Sequence, residues 1–136
     1  MAIRTSLKYK SVQNNWKKQG ISRLISACHN SAKGLRSIWS SETAFRQEVL
    51  LTVPMIIGAF FLGQSVVEIA LLISVCVLVL LTEVINTAIE AVVDRISLEH
   101  SELSGFAKDL GSLAVLISLS LAGLVWVMVI FDRFIK

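Results

Sequence analysis

Three long apolar runs leave this chain few ways to fold. Residues 49–67 are uncharged, residues 69–93 are apolar apart from a few polar positions, and residues 111–131 carry no charge at all. A bilayer core needs roughly 20 helical residues at about 1.5 Å each, so every run is long enough to cross one. Of the 136 residues 54% are hydrophobic, and they are concentrated in these runs rather than spread through a water-soluble core. Such a length allows one domain. Pro54 and Gly58 fall within the first run, where neighbouring helices accommodate a local bend. The reading is an all-α membrane protein with spans at about 45–63, 67–95 and 109–132.

The second run is interrupted in an ordered way. Glu83, Asn86, Glu90 and Asp94 are spaced i, i+3, i+7 and i+11. At about 100° per residue they fall near 0°, −60°, −20° and +20°, on one helix face. An ionisable group at membrane depth costs roughly 2.5–3.5 kcal/mol on insertion scales, so three carboxylates on one stripe mark a site. Carboxylates with an amide suit a hard cation such as Mg²⁺ and also accept protons. The plainer reading is a polar seam holding a bundle together, for which Ser, Thr or Asn would be the more natural choice. If Glu68 marks one interface, Glu83 lies about 22 Å and Glu90 about 33 Å further along the helix. The stripe then runs from hydrocarbon to headgroups, which suits a reaction between a lipid and a water-soluble cosubstrate.

Charge predicts orientation. Arg4, Lys8, Lys10, Lys17, Lys18, Arg23, Lys33, Arg36 and Arg46, nine of the 13 basic residues, precede the first apolar run, and the turn Gly63-Gln64-Ser65 has none. By the positive-inside rule the N-terminus and the connection at 94–109 are cytoplasmic and the C-terminus is on the far side. The basic excess suits anionic headgroups. No groove-reading motif accompanies it, so nucleic acid is not expected as a partner.

Residues 1–20 are polar, basic and aperiodic, and read as a mobile tail without the apolar segment of a cleaved signal. Across residues 21–39 an apolar stripe of Ile21, Leu24, Ile25, Cys28, Ala32, Leu35, Ile38 and Trp39 faces a polar side with Arg23, Asn30 and Lys33. That pattern predicts an amphipathic helix lying in the membrane interface. Cys28 and Cys76 form no CxxC pair, and His29 and His100 are too far apart to suggest a zinc site. Seven glycines provide neither a GxxxxGK[ST] nor a GxGxxG loop, so any nucleotide is held by carboxylate–Mg²⁺ contacts and basic side chains.

Three blocks of residues resemble the prokaryotic diacylglycerol kinase family. The run from Glu83 through Asn86, Glu90 and Asp94 to Arg95 is similar to its signature. Glu42-Thr43-Ala44-Phe45-Arg46-Gln47-Glu48 resembles the approach to its first span. Glu102-Leu103-Ser104-Gly105-Phe106-Ala107-Lys108-Asp109 with Gly111-Ser112 resembles the approach to its third. The resemblance implies three transmembrane helices with an interfacial N-terminal helix, assembled as a homotrimer with active sites shared between protomers. It implies transfer of the γ-phosphate of MgATP to the primary hydroxyl of diacylglycerol, giving phosphatidic acid at a bacterial inner membrane.

The same resemblance assigns roles. Glu83 matches the general base, with Asn86 and Asp94 supporting it, and Glu90 and Glu42 match the Mg²⁺ ligands. Lys108 and Asp109 match nucleotide contacts, as do Glu99, His100 and Ser101 on the preceding segment and Arg23 and Asn30 on the surface helix. The lipid side falls to Arg23, Arg36, Ser37, Ile38, Trp39, Ala44, Phe45, Arg46, Gln47, Glu48, Glu83 and Ser112. The chain departs from close relatives at Asn30 and Ala32, which replace aromatic residues, and at His100 and Ser101, which replace a Tyr-His pair. Two other readings stand beside this one: a kinase of the same fold acting on undecaprenol, and a non-enzymatic membrane bundle using the acidic stripe as a pathway.

Overall fold

Four helices account for nearly all of residues 20–96 and 101–135, the part of the chain that the computed structural model describes. They are α1 (Ile21–Ser41), α2 (Thr43–Leu62), α3 (Val66–Ile96) and α4 (Glu102–Ile135). The basic tail at 1–20 falls almost wholly outside the described residues, as do Glu99 and His100. The chain divides into two compact units between Ser37 and Ile38. In the first unit, α1 leaves Ile21, Leu24, Ile25 and Leu35 exposed. An uncovered apolar face opposite a basic one is the form in which an amphipathic helix binds a lipid surface.

The second unit is built on α2, α3 and α4, each long and apolar enough to cross a membrane. The chain is a multi-pass membrane protein. Its outward faces carry Leu50, Phe60, Phe61, Leu116, Val127 and many other apolar side chains, all exposed. In water such a surface would aggregate, whereas in hydrocarbon it is solvated. α3 packs along both α2 and α4, which touch each other only briefly. The core is where the three meet: Ala59 from α2, Leu72, Val75, Cys76 and Val79 from α3, and Ala122 and Trp126 from α4.

Tight connections set the register of the bundle. At the α2–α3 turn, Gly63 donates its N–H to the Ala59 carbonyl at 2.9 Å. A Cβ there would sit 2.5 Å from Ile69 Cγ1, so only glycine lets the two helices close. Ser65 then caps α3: its hydroxyl accepts the Glu68 N–H at 3.2 Å, while the Glu68 carboxylate accepts the Gln64 N–H at 2.8 Å. This reciprocal pair satisfies two N–H groups that a helix start leaves open.

The α1–α2 corner is tight. Only Glu42 leaves helical geometry, with φ −101° and ψ 115°. The Arg46 guanidinium makes this possible by donating to the carbonyls of Trp39 at 2.8 Å and Ser40 at 3.3 Å, and to Thr43 Oγ1 at 2.9 Å. It thereby satisfies carbonyls that the end of α1 leaves free. Ile38 and Phe45 are buried at this corner. α4 begins at Glu102, well ahead of the uncharged run, and its first turns carry Lys108 and Asp109.

Candidate active site

The stripe read from spacing is a real face of α3, and burial falls along it. Glu83 is 5% exposed and Asn86 9%. Glu90 is half-buried and Asp94 exposed. A single chain thus already covers the inner half of the stripe.

Two neighbouring helices complete the site. α2 and α3 are antiparallel about the Gly63 turn, so Glu42 and Glu48 on α2 come level with the α3 stripe. The Glu83 carboxylate is repelled by those of Glu90 and Glu42, and the Glu48 carboxylate by that of Glu83. Glu42 stands at the start of α2 but makes no capping hydrogen bond, which leaves its carboxylate for the site. On the other side α4 supplies Lys108, whose ammonium donates to Asp94 Oδ1 at 2.6 Å. Asn86 Nδ2 donates to Glu90 Oε1 at 3.1 Å and so orients that carboxylate. Gly111 of α4 backs Asn86 so closely that a Cβ would collide with the amide oxygen.

This cluster is not satisfied by protein alone. Glu48 Oε2 and Asn86 Oδ1 are buried acceptors without a hydrogen-bond partner. Leaving such a group unpaired costs about 1–3 kcal/mol. Among the described residues no basic side chain pairs with Glu42, Glu48, Glu83 or Glu90, since Lys108 is engaged by Asp94. Converging carboxylates with orphaned oxygens fit a site completed by a cation and by donors from a ligand.

The remaining sequence-derived positions are more scattered. Ala44, Gln47, Asp109 and Ser112 are exposed on α2 and α4, and Ser101 precedes α4, where its carbonyl accepts the Gly105 N–H at 2.9 Å. Trp39 is exposed at the corner. Arg23, Asn30, Arg36 and Ser37 lie on α1 within the first unit.

Comparison with known proteins bears directly on this arrangement. The family described as prokaryotic diacylglycerol kinase matches residues 29–130, which include α2, α3, most of α4 and every carboxylate of the stripe. The chain belongs to that family. It is 47% identical over 111 residues to the Diacylglycerol kinase of Haemophilus influenzae, covering 82% of this chain and 94% of that one. It is 45% identical over 115 residues to the Escherichia coli Diacylglycerol kinase, covering 85% and 94%. The Pseudomonas aeruginosa protein of the same name is 46% identical over 107 residues, covering 79% and 87%.

Kinases of this family act with MgATP. Among the described residues no three His, Cys, Asp or Glu side chains form a protein-only metal cage. Mg²⁺ in phosphoryl-transfer sites is held by one or two carboxylates together with substrate phosphates and water, and demands oxygen donors. Glu90, oriented by Asn86, and Glu42, free of capping duty, meet that requirement.

Sequence reasoning missed three contributors. Gly111 entered only as part of a matching block, yet it shapes the Asn86 side of the site. Thr82 and Ser118, on facing helices beside Glu83, had no signal beyond being polar in apolar runs. The guanidinium of Arg46, assigned to the lipid side, is taken up by the corner that positions Glu42.

Proposed function

We propose that this chain transfers the γ-phosphate of MgATP to the primary hydroxyl of diacylglycerol, forming phosphatidic acid at the cytoplasmic face of a bacterial inner membrane. Family membership and identities of 45–47% to proteins named Diacylglycerol kinase support the reaction and its acceptor. The observation that carries the mechanism is Glu83, a buried carboxylate at the inner end of a stripe whose outer end is open. A lipid hydroxyl reaches it from the hydrocarbon side, and a nucleotide reaches Glu90, Asp94 and Lys108 from water.

In this reading Glu83 accepts the hydroxyl proton as the lipid oxygen bonds to the γ-phosphorus and the bond to the β–γ bridging oxygen breaks. Glu90 and Glu42 would hold Mg²⁺ together with the nucleotide, and the ion would supply charge that offsets the phosphates in the transition state. Asn86 fixes the Glu90 carboxylate. Asp94 holds Lys108 at the mouth of the site, from which the ammonium turns to the phosphates as a point charge. The family resemblance assigns Asp109, Ser101, Glu99 and His100, with Arg23 and Asn30, to the nucleotide side. The family resemblance assigns Arg36 to Trp39, Ala44, Phe45, Gln47, Glu48 and Ser112 to the lipid side. The concentration of basic residues ahead of the first span supports a cytoplasmic N-terminus and a periplasmic C-terminus. The family resemblance supports a homotrimer with sites shared between protomers.

The test is direct. Purified protein in mixed micelles with MgATP is offered diacylglycerol or undecaprenol, and labelled phosphate is followed into lipid. Labelled phosphatidic acid is expected. Labelling of undecaprenol alone would overturn the acceptor, and no labelling of either lipid would overturn the kinase reading.

A further inference from the structure

Beside Glu83 the α3–α4 seam carries a polar contact that the proposed chemistry does not use. Thr82 Oγ1 and Ser118 Oγ lie 2.8 Å apart across the two helices. Ser118 is 3% exposed. Each hydroxyl also lies near carbonyls of its own helix: Thr82 Oγ1 is 2.8 Å from the Val79 oxygen and 3.1 Å from that of Leu78, and Ser118 Oγ is 2.7 Å from that of Val115. Two hydroxyls own two protons. One proton must lie between the oxygens for them to approach so closely, so only one hydroxyl bonds back to its own helix. Either could satisfy itself locally, as Ser and Thr in helices commonly do. The crossing bond is therefore not needed to solvate these groups, and its effect is to fix how the helices meet.

The position of this bond gives it leverage. On one side the seam is apolar, with Cys76, Val79, Ala122 and Trp126 in the core, and apolar contact is non-directional. On the other side lies the polar site, beginning with Asn86 against Gly111. Thr82 and Glu83 are adjacent, so their side chains diverge by about 100° around α3. With Thr82 tied to α4, Glu83 is turned toward the α2 carboxylates. A 20° rotation of α3, acting at a radius of about 6 Å, would move the Glu83 carboxylate by about 2 Å. A misplacement of about 1 Å can cost a hundredfold in rate.

We propose that the Thr82–Ser118 hydroxyl pair is a positioning element of the kinase, locking the rotation of α3 against α4 so that Glu83 faces the reacting hydroxyl. The proposal rests on Glu83 being the base. Thr82→Val, nearly isosteric, and Ser118→Ala each remove the bond, and Thr82→Ser keeps a hydroxyl. In the full-length protein, Thr82→Val and Ser118→Ala are expected to lower kcat roughly five- to fiftyfold, with the KM values for MgATP and diacylglycerol within about twofold. The double variant should be no slower than the slower single one, because both changes remove one bond. Thr82→Ser should recover most of the turnover, and Thr82→Val should have no further effect in a Glu83→Gln background.

Wild-type kcat with only a lowered Tm in both hydroxyl-free variants would overturn the positioning role, as would additive losses or further slowing of Glu83→Gln. If one variant fails to fold, the other decides alone. Glu83→Gln is measured in parallel to separate the two claims: full activity there removes the base assignment, whereas an inactive Glu83→Gln beside a fully active Thr82→Val removes only the positioning proposal.

Discussion

Gly111→Ala tests how the site is held, because its effects on stability and on catalysis should separate. A Cβ at position 111 would overlap the Asn86 amide oxygen, while the amide carbon would be 3.3 Å and the Asn86 Cα 3.7 Å away. The overlapping atom is the end of a flexible side chain, so Asn86 can rotate away without moving either helix. Replacing a helical glycine by alanine contributes up to about 1 kcal/mol in helix propensity, which offsets the rearrangement. The Tm should therefore change by only a few degrees. Rotation of Asn86, however, breaks the 3.1 Å bond to Glu90 Oε1. A hydrogen bond to a charged group is worth about 1.5–3 kcal/mol, and each 1.36 kcal/mol of barrier is tenfold in rate, so turnover should fall roughly ten- to a hundredfold. The Mg²⁺ concentration giving half-maximal activity should rise, because Glu90, the proposed Mg²⁺ ligand, loses the bond that orients it. Steady-state kinetics across a Mg²⁺ series, with a thermal melt in the same detergent, measure both. Gly123→Ala serves as the control, since a Cβ there meets nothing within 4 Å. Wild-type turnover and an unchanged Mg²⁺ requirement in Gly111→Ala would refute the chain of reasoning from Gly111 through Asn86 to Glu90.

Further outcomes follow from the same geometry. Glu42→Gln and Glu90→Gln should each raise the Mg²⁺ requirement, and the double variant should lose less than the two losses combined because both act on one ion; full additivity in MgATP kinetics would separate them. Deleting residues 2–20 should leave phosphoryl transfer largely intact, since the family match begins at residue 29; loss of activity in the truncated protein would contradict this. Inactive Glu83→Gln and Lys108→Leu proteins, mixed so that they co-assemble, should regain part of the activity through shared sites; mixed oligomers that co-purify yet stay inactive would place each site within one chain.

Much of this architecture was legible in the residues because a membrane narrows the choices. Long uncharged runs predict helices, and the polar positions of α3 are few enough for their spacing to reveal a face. The helix ends were less legible. Residues 102–109 carry Glu102, Lys108 and Asp109, so the uncharged run suggested a later start, yet α4 extends through that segment. At the α1–α2 corner, Arg46 stands some distance in sequence from the carbonyls it satisfies, so its capping role required coordinates. The Thr82–Ser118 contact joins residues 36 positions apart, a pairing that no local pattern encodes. Conversely, the placing of Glu83, Asn86, Glu90 and Asp94 on one face follows from helix geometry and was readable in advance, whereas the burial of Glu83 and Asn86 within one chain was not.

The most direct test of the account is turnover of Glu83→Gln at saturating MgATP and diacylglycerol, with nucleotide affinity measured separately on the same preparation. The amide keeps the size of the side chain but cannot take the hydroxyl proton. The account predicts a fall in kcat of about 10²–10⁴-fold, with nucleotide affinity within about twofold of wild type, as expected for an interaction used only in the chemical step. Near-wild-type turnover would contradict it.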